Sequence, residues 1–295
     1  QYQKLSNGLI TIIGFLIMKK KLKNKIALIT GGSRGIGFAI AKKYLLNGSS
    51  LILISRSKDE LSKAHDLLNA YKADSNQKIY SYNVDLSLLE EVKIFCENHL
   101  TKYKLDILVN CAGIVGEYGE IHIENINTFQ KTFNVNLISP IILCSYISKH
   151  FKNEKYGKII NISGGGSTSQ LPELNMYSLS KTSLVRYTEN LSEQLKEYNV
   201  DVNALAPGAV MTDMNKKILE SDPNKVGKNY HKKLKELLSN GGADPDVAAE
   251  LAVFLASRDS DGLSGKLISA VWDNWRELDI NKIMISDIYN LRRIV

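Results

Sequence analysis

Short apolar runs alternate along the chain with longer segments in which apolar positions recur every three or four residues. The runs Ile26–Thr30, 51–55, 79–84, 106–110, 158–163 and 200–205 read as strands. The segments Gly35–Leu46, 58–71, 88–103, 126–151 and 174–198 read as helices. The strands are apolar along nearly their whole length, as strands covered on both faces are. Regular alternation of such strands with helices predicts a parallel sheet with helices on each side. With right-handed crossovers this is an α/β, doubly wound single domain. The basic segment 216–240 is helical in pattern and reads as an insertion.

Composition narrows the class. The chain has 295 residues, 44% apolar and 23% charged, which suits a globular protein and excludes a disordered chain. The net charge of +7 favours anionic ligands and does not by itself call for a nucleic-acid partner. Cys96, Cys111 and Cys144 are odd in number, with no CxxC and no Cys/His zinc spacing. They predict reduced thiols, a cytoplasmic setting and no metal. Residues 9–18 are apolar apart from Thr11 and Gly14, and lysines follow at 19, 20, 21, 23 and 25. Ten residues cannot cross a bilayer core that needs ~20 helical ones. A secretory signal would carry its charge before the apolar run, not after it. Residues 1–24 therefore read as an N-terminal extension, with Met18 as the natural start, and 25–295 as the domain. A peripheral membrane anchor is the rival reading of 9–25.

The first predicted strand runs into Thr30-Gly31-Gly32-Ser33-Arg34-Gly35-Ile36-Gly37. A glycine-rich turn before a helix exposes backbone N–H groups at the helix N-terminus and lets a pyrophosphate approach. In the first strand–helix unit this predicts a Rossmann-type nucleotide site, although the spacing is not GxGxxG. Gly31 to Gly35 also fits GxSxG, the nucleophile elbow of α/β-hydrolases. An elbow follows several strands, and here only one precedes it; no late-strand His completes a triad. An acidic residue after the second strand would bind the ribose hydroxyls of NAD. This chain has Ser55-Arg56 there, and Arg34 in the turn, a pair suited to a 2′-phosphate. NADP(H) is thus expected over NAD(H).

Tyr177 and Lys181 stand four apart, on one face of a helix. A nearby ammonium lowers the pKa of a phenol from its usual ~10, fitting it for general acid–base work. These residues together resemble the short-chain dehydrogenase/reductase family, over about residues 25–270. Gly31, Ser33, Arg34, Ile36 and Gly37 resemble its cofactor turn, followed by Ser55 and Arg56. Asp85, with Leu86, resembles its adenine-contacting aspartate. Asn110-Cys111-Ala112-Gly113 is similar to its Asn-Asn-Ala-Gly turn, and Ser163 lies at the next strand end. Pro207-Gly208, with Val210 and Thr212, resembles the loop that holds the nicotinamide carboxamide. The resemblance implies that Tyr177 is the general acid/base, that Lys181 also binds the nicotinamide ribose, and that Asn136 holds a relay water. It further implies a homodimer or homotetramer built through the fourth and fifth helices.

One position departs. Thirteen residues before the tyrosine the family places a catalytic serine, and here stands Gly164, in Ser163-Gly164-Gly165-Gly166-Ser167. Ser163 should point to the opposite face of its strand. Ser167 is expected to swing in across the glycines and join Tyr177, Lys181 and Asn136 in the catalytic set; backbone N–H groups of the run are an alternative donor. The expected activity is carbonyl–alcohol interconversion on a small molecule. The rival is a nucleotide-binding regulator that lost its chemistry with the serine. Gly265-Lys-Leu-Ile-Ser-Ala-Val-Trp-Asp273 is similar to a bacterial subgroup associated with sugar pathways, which implies a sugar-like substrate. Trp272 and Trp275 read as packing residues or as pocket cover, and Arg292-Arg293 as a solvated end or an anion clamp.

Overall fold

The computed structural model describes residues 20–119, 126–239 and 241–292. Its strands are β1 (Ile26–Thr30), β2 (Ser50–Ser55), β3 (Ile79–Asn83), β4 (Ile107–Asn110), β5 (Gly157–Ile162), β6 (Val200–Ala206) and β7 (Leu267–Ser269). They form one parallel sheet in the order β3-β2-β1-β4-β5-β6-β7. Successive side chains leave a strand on opposite faces, and both sets here are apolar. Leu28, Ile52, Ile54, Leu108 and Ile159 join one core, with Phe95, Leu143 and Phe151 from the helices. Ala27, Ile29, Leu51, Leu53 and Ile160 join the other, with Tyr44 and Leu251. This is the expected doubly wound, Rossmann-type domain.

The helices are α1 (Gly35–Leu46), α2 (Lys58–Asn69), α3 (Leu89–Asn98), α4 (Ile126–Phe133), α5 (Ser139–Glu154), α6 (Asn175–Leu195), α7 (Asp213–Glu220), α8 (Pro223–Val226), α9 (Lys228–Ser239), α10 (Pro245–Ala256) and α11 (Ile280–Met284). The predicted helix 126–151 is α4 and α5 joined by a π-helical turn, Asn134–Ile138. The basic insertion is three helices, not one. Asp222 caps α8 through Asn224 N–H with Pro223 behind it, and Gly227 turns the chain at φ +85°. β7 and α10 are additions to the expected elements. In α10, Ala248, Ala249, Leu251, Ala252 and Leu255 are all buried, and its small residues let α1 approach. The Tyr44 hydroxyl of α1 donates to Ala252 O at 3.0 Å.

Residues 20–24 form a turn that belongs to the fold. Leu22 is fully buried, and its N–H donates to Asn47 O at 3.0 Å. The folded unit therefore starts ahead of the 24/25 boundary. The apolar run 9–18 lies outside the described residues. Among those described, no helix is long and apolar enough to cross a membrane. No group of three or more His, Cys, Asp or Glu side chains among them is arranged to hold a metal.

Candidate active site

The sheet order reverses between β1 and β4, and the site lies where their C-terminal ends part, as in other doubly wound folds. Thr30 closes β1. Its Oγ1 accepts from Cys111 N–H (2.9 Å) and Ala112 N–H (3.0 Å), tying the two strand ends together. The cofactor turn therefore rests on residues 111–113. Gly31 has φ +66°, and a Cβ there would stand 2.9 Å from Ala112 Cα, so no other residue fits. Arg34 takes the N-cap position of α1 in extended conformation. No side chain caps this end, and its first turn, with Ile36 and Gly37, holds no acidic residue. Free first-turn N–H groups at the positive end of a helix are a phosphate site. The residues present thus fit a dinucleotide.

The far end of the turn also fits. Ser33 and Ser55 share a hydroxyl hydrogen bond of 2.9 Å. Asn83 Nδ2 donates to Ser55 O and Arg56 O, shaping the end of β2. Arg56 is exposed and has no ion pair among the described residues, whereas Arg34 pairs with Glu60 (2.8 Å) and Asp213 (3.3 Å). Asp85 Oδ1 accepts from the N–H and hydroxyl of Ser87, both at 2.8 Å, which fixes its loop. Leu86 is buried behind it, its carbonyl accepting from Ser139 Oγ.

Asn136 sits in the π-helical turn, fully buried. Its Oδ1 accepts from Ile114 N–H (2.9 Å), and its Nδ2 donates to Ile114 O (2.8 Å) and Ser180 Oγ (3.0 Å). Ser180 in turn donates to Tyr177 O at 2.7 Å. Lys181 is buried, and its Nζ donates to Ile162 O at 2.7 Å. Gly113 lies between the two: a Cβ on it would stand 3.5 Å from both Asn136 Oδ1 and Lys181 Nζ. Tyr177, one turn before Lys181 on α6, completes the group. Its phenol is not lowered as the spacing suggests. The lysine's hydrogen bond goes to Ile162 O, and burial, with Tyr230 adding to it, pushes Tyr177 well up. Burial likewise brings the Lys181 amine down to about 8.

Position 164 explains its own glycine. A Cβ there would overlap the Tyr177 hydroxyl and stand 3.0 Å from Tyr177 Cζ. The phenol fills the space a serine side chain would take. Ser167 does not replace it as expected. It is buried, its hydroxyl donates to Gly164 O at 2.8 Å, and it accepts from Ser163 Oγ at 2.9 Å. The two serines brace their own loop. Asn110 ties the sheet at this end: its buried Nδ2 donates to Asn161 Oδ1 at 2.8 Å, so its side chain links β4 to β5.

The loop after β6 closes over the turn. Pro207 leads into Gly208, which has φ +82° and packs against Val271. Val210 is buried and bridges to Gly242 and Ala243. Thr212 caps α7, and its methyl lies 3.4 Å from where a Gly35 Cβ would stand. Beyond it, α7–α9 form a lid on an apolar cluster of Val115, Leu174, Ile218, Val226, Leu234 and Leu238. Tyr118, Tyr177 and Tyr230 pack on that cluster, and Tyr118 Oη meets Ser221 Oγ at 2.6 Å. Trp275 is a packing residue, its Nε1–H donating to Ala270 O, while Trp272 stays 77% exposed. Arg292 stays exposed and is also tied down: it pairs with buried Glu189 at 3.3 Å and with Asp287 at 2.8 Å. Arg293 lies outside the described residues. Thr30, Ser180 and Tyr230 were not legible as site residues. Thr30 ends a strand and Ser180 precedes Lys181, which are weak signals; Tyr230 lies in a segment whose pattern shows only a helix.

The family model for short chain dehydrogenases matches residues 25–223. The chain is 32% identical over 269 residues to the 2-dehydro-3-deoxy-D-gluconate 5-dehydrogenase of Bacillus subtilis (strain 168), covering 89% of this chain and 99% of the relative. It is 30% identical over 257 residues to the 3-oxoacyl-acyl-carrier-protein reductase FabG of Aquifex aeolicus (strain VF5), covering 85% and 97%. Among solved structures it resembles YwfH, described as an NADPH dependent reductase involved in bacilysin biosynthesis (TM-score 0.74, 26% identity, 84% and 97% covered). It is similar also to a Beutenbergia cavernae protein solved with NADP at low occupancy (TM-score 0.74, 25% identity, 85% and 97% covered).

Proposed function

The chain belongs to the short-chain dehydrogenase/reductase family of NAD(P)-dependent oxidoreductases, and we propose that it uses NADP(H) to interconvert a carbonyl and a secondary alcohol. The observation that carries this reading is the meeting of Asn136 and Lys181 on Gly113, with the Tyr177 hydroxyl against Gly164 at the end of β5. The nicotinamide supplies or accepts the hydride. Tyr177 gives a proton to the reacting oxygen in reduction and takes it back in oxidation. Lys181, held by Ile162 O one turn along α6 from Tyr177, reaches the ribose. Asn136 fixes the 113–114 backbone and the first turns of α6, and a relay water on its carbonyl side would refill Tyr177.

The cofactor choice rests on Arg56 and Arg34 and on the lack of a carboxylate at the end of β2; the NADP held by a similar structure supports it. A sugar-like substrate is supported by the gluconate-type relative. A homodimer or homotetramer in the cytoplasm completes the proposal, supported by Tyr146 of α5 and Leu179 of α6, which stay exposed, and by three free cysteines. The regulator reading leans on Gly164, but the phenol in that space weakens it. Tyr177→Phe decides between them. Loss of nearly all NADPH-dependent ketone reduction with unchanged NADPH binding is the expected result, and retained turnover refutes the assignment.

A further inference from the structure

Hydride arrival places negative charge on the oxygen of a carbonyl, and donors aimed at that oxygen lower the barrier. The buried side chains of the loop beside Tyr177 provide none. Gly164 has no hydroxyl. Ser163 and Ser167 each have one hydroxyl hydrogen, and these go to Ser167 Oγ and Gly164 O. Ser178 Oγ is buried without a partner among the described residues, but it is walled in against Gly166. Apart from the backbone N–H groups of the glycine run, the other side of the site, the lid, is where a side-chain donor stands.

Tyr230 stands there. It lies in the first turn of α9, three residues after the Gly227 turn, whose backbone packs on the Glu173 carboxylate. Tyr230 and Tyr177 rest on the same cluster of Val115, Leu174 and Val226. Tyr230 is half-buried, and its hydroxyl has no hydrogen bond among the described residues. Tyr230 also adds to the rise of the Tyr177 pKa, as a neighbouring phenol does. We propose that Tyr230 donates the second hydrogen bond to the reacting oxygen, supplying from the lid the contact for which position 164 has no side chain. The inference rests on the carbonyl-reductase reading above. It also ties chemistry to lid position: the donor set is complete only with α9 closed over α6.

Tyr230→Phe removes one oxygen and keeps the ring. On a carbonyl substrate that Tyr177→Phe fails to reduce, kcat should fall about 10²–10³-fold, as for loss of one oxyanion donor. NADPH affinity should not change, and KM should move far less than kcat. Tyr230→Phe with kcat within threefold of the parent, or a loss confined to KM, overturns the proposal. A second readout needs no turnover. With 13Cζ-labelled tyrosine, the Tyr177 resonance at neutral pH should shift in Tyr230→Phe, because a neighbouring hydroxyl has gone. An unshifted Tyr177 resonance overturns the placement of Tyr230 even if no carbonyl compound is reduced, an outcome that would by itself sink only the broader reading.

Discussion

Gly164→Ala is the sharpest perturbation of the site. The added methyl overlaps the Tyr177 hydroxyl and lies 3.0 Å from Cζ, where unstrained carbon contacts need ~3.5 Å or more. The Gly164 backbone closes the end of β5 and is braced by Ser167, so the phenol has to yield. It must retreat by on the order of an ångström. A displacement of that size in a reacting group costs about 10²-fold in rate. Overpacking of this kind costs typically ~1–3 kcal/mol, and at about 2–4 °C per kcal/mol Tm should fall by several degrees. Steady-state kinetics, NADPH titration and a thermal melt read all three. The expected pattern is kcat down about a hundredfold, NADPH affinity kept and Tm lowered. Gly164→Ser should behave the same way rather than restore a lost donor. Parental kcat in Gly164→Ala, or a faster enzyme in Gly164→Ser, refutes the reasoning.

Two further outcomes follow from charge. The folded Lys181 has its pKa near 8, below the 10.5 of the free side chain, so folding a protonated amine is unfavourable at neutral pH and the penalty lifts as pH rises from about 8 to 10.5. Lys181→Met should therefore melt higher than the parent at pH 7, with an advantage that shrinks toward pH 10; a gap that stays constant with pH contradicts the burial argument. Arg56→Ala should weaken NADPH binding about 10–100-fold, the worth of a charge-assisted contact of ~1.5–3 kcal/mol. Arg34→Ala should weaken it less, because that guanidinium is shared with Glu60 and Asp213. Isothermal titration of both variants measures the ratio, and a larger loss at Arg34 reverses the assignment.

Much of this was legible because burial on both faces makes strands apolar from end to end. β1 was read to the residue, and β2, β4, β5 and β6 to within one or two. β7 escaped because it is three residues long beside Gly265 and Lys266. α10 escaped because it is apolar nearly all round, and such a helix shows little period. The π-helical turn escaped because the apolar positions run through it without a break. In the site, helical spacing was enough to set Tyr177 and Lys181 one turn apart, whereas Asn136 came in only through the family resemblance. The direction of Ser167 was not legible, since it is set by its local loop. The split of 216–240 was available in Asp222-Pro223 and Gly227, which are strong breakers.

The π-helical turn at Asn134–Ile138 also makes the chain unequally tolerant of length changes. It accommodates one residue more than an α-helical turn does, and every residue after it inherits the resulting angular offset. Leu143, Ile147 and Phe151, spaced by four, face the sheet only in that phase. Deleting one residue here would turn them by about 100°, away from their core and toward solvent. Substitutions in this stretch are local events. A single-residue deletion is a rotation of the whole of α5, and sequence drift in this protein should show the first and avoid the second.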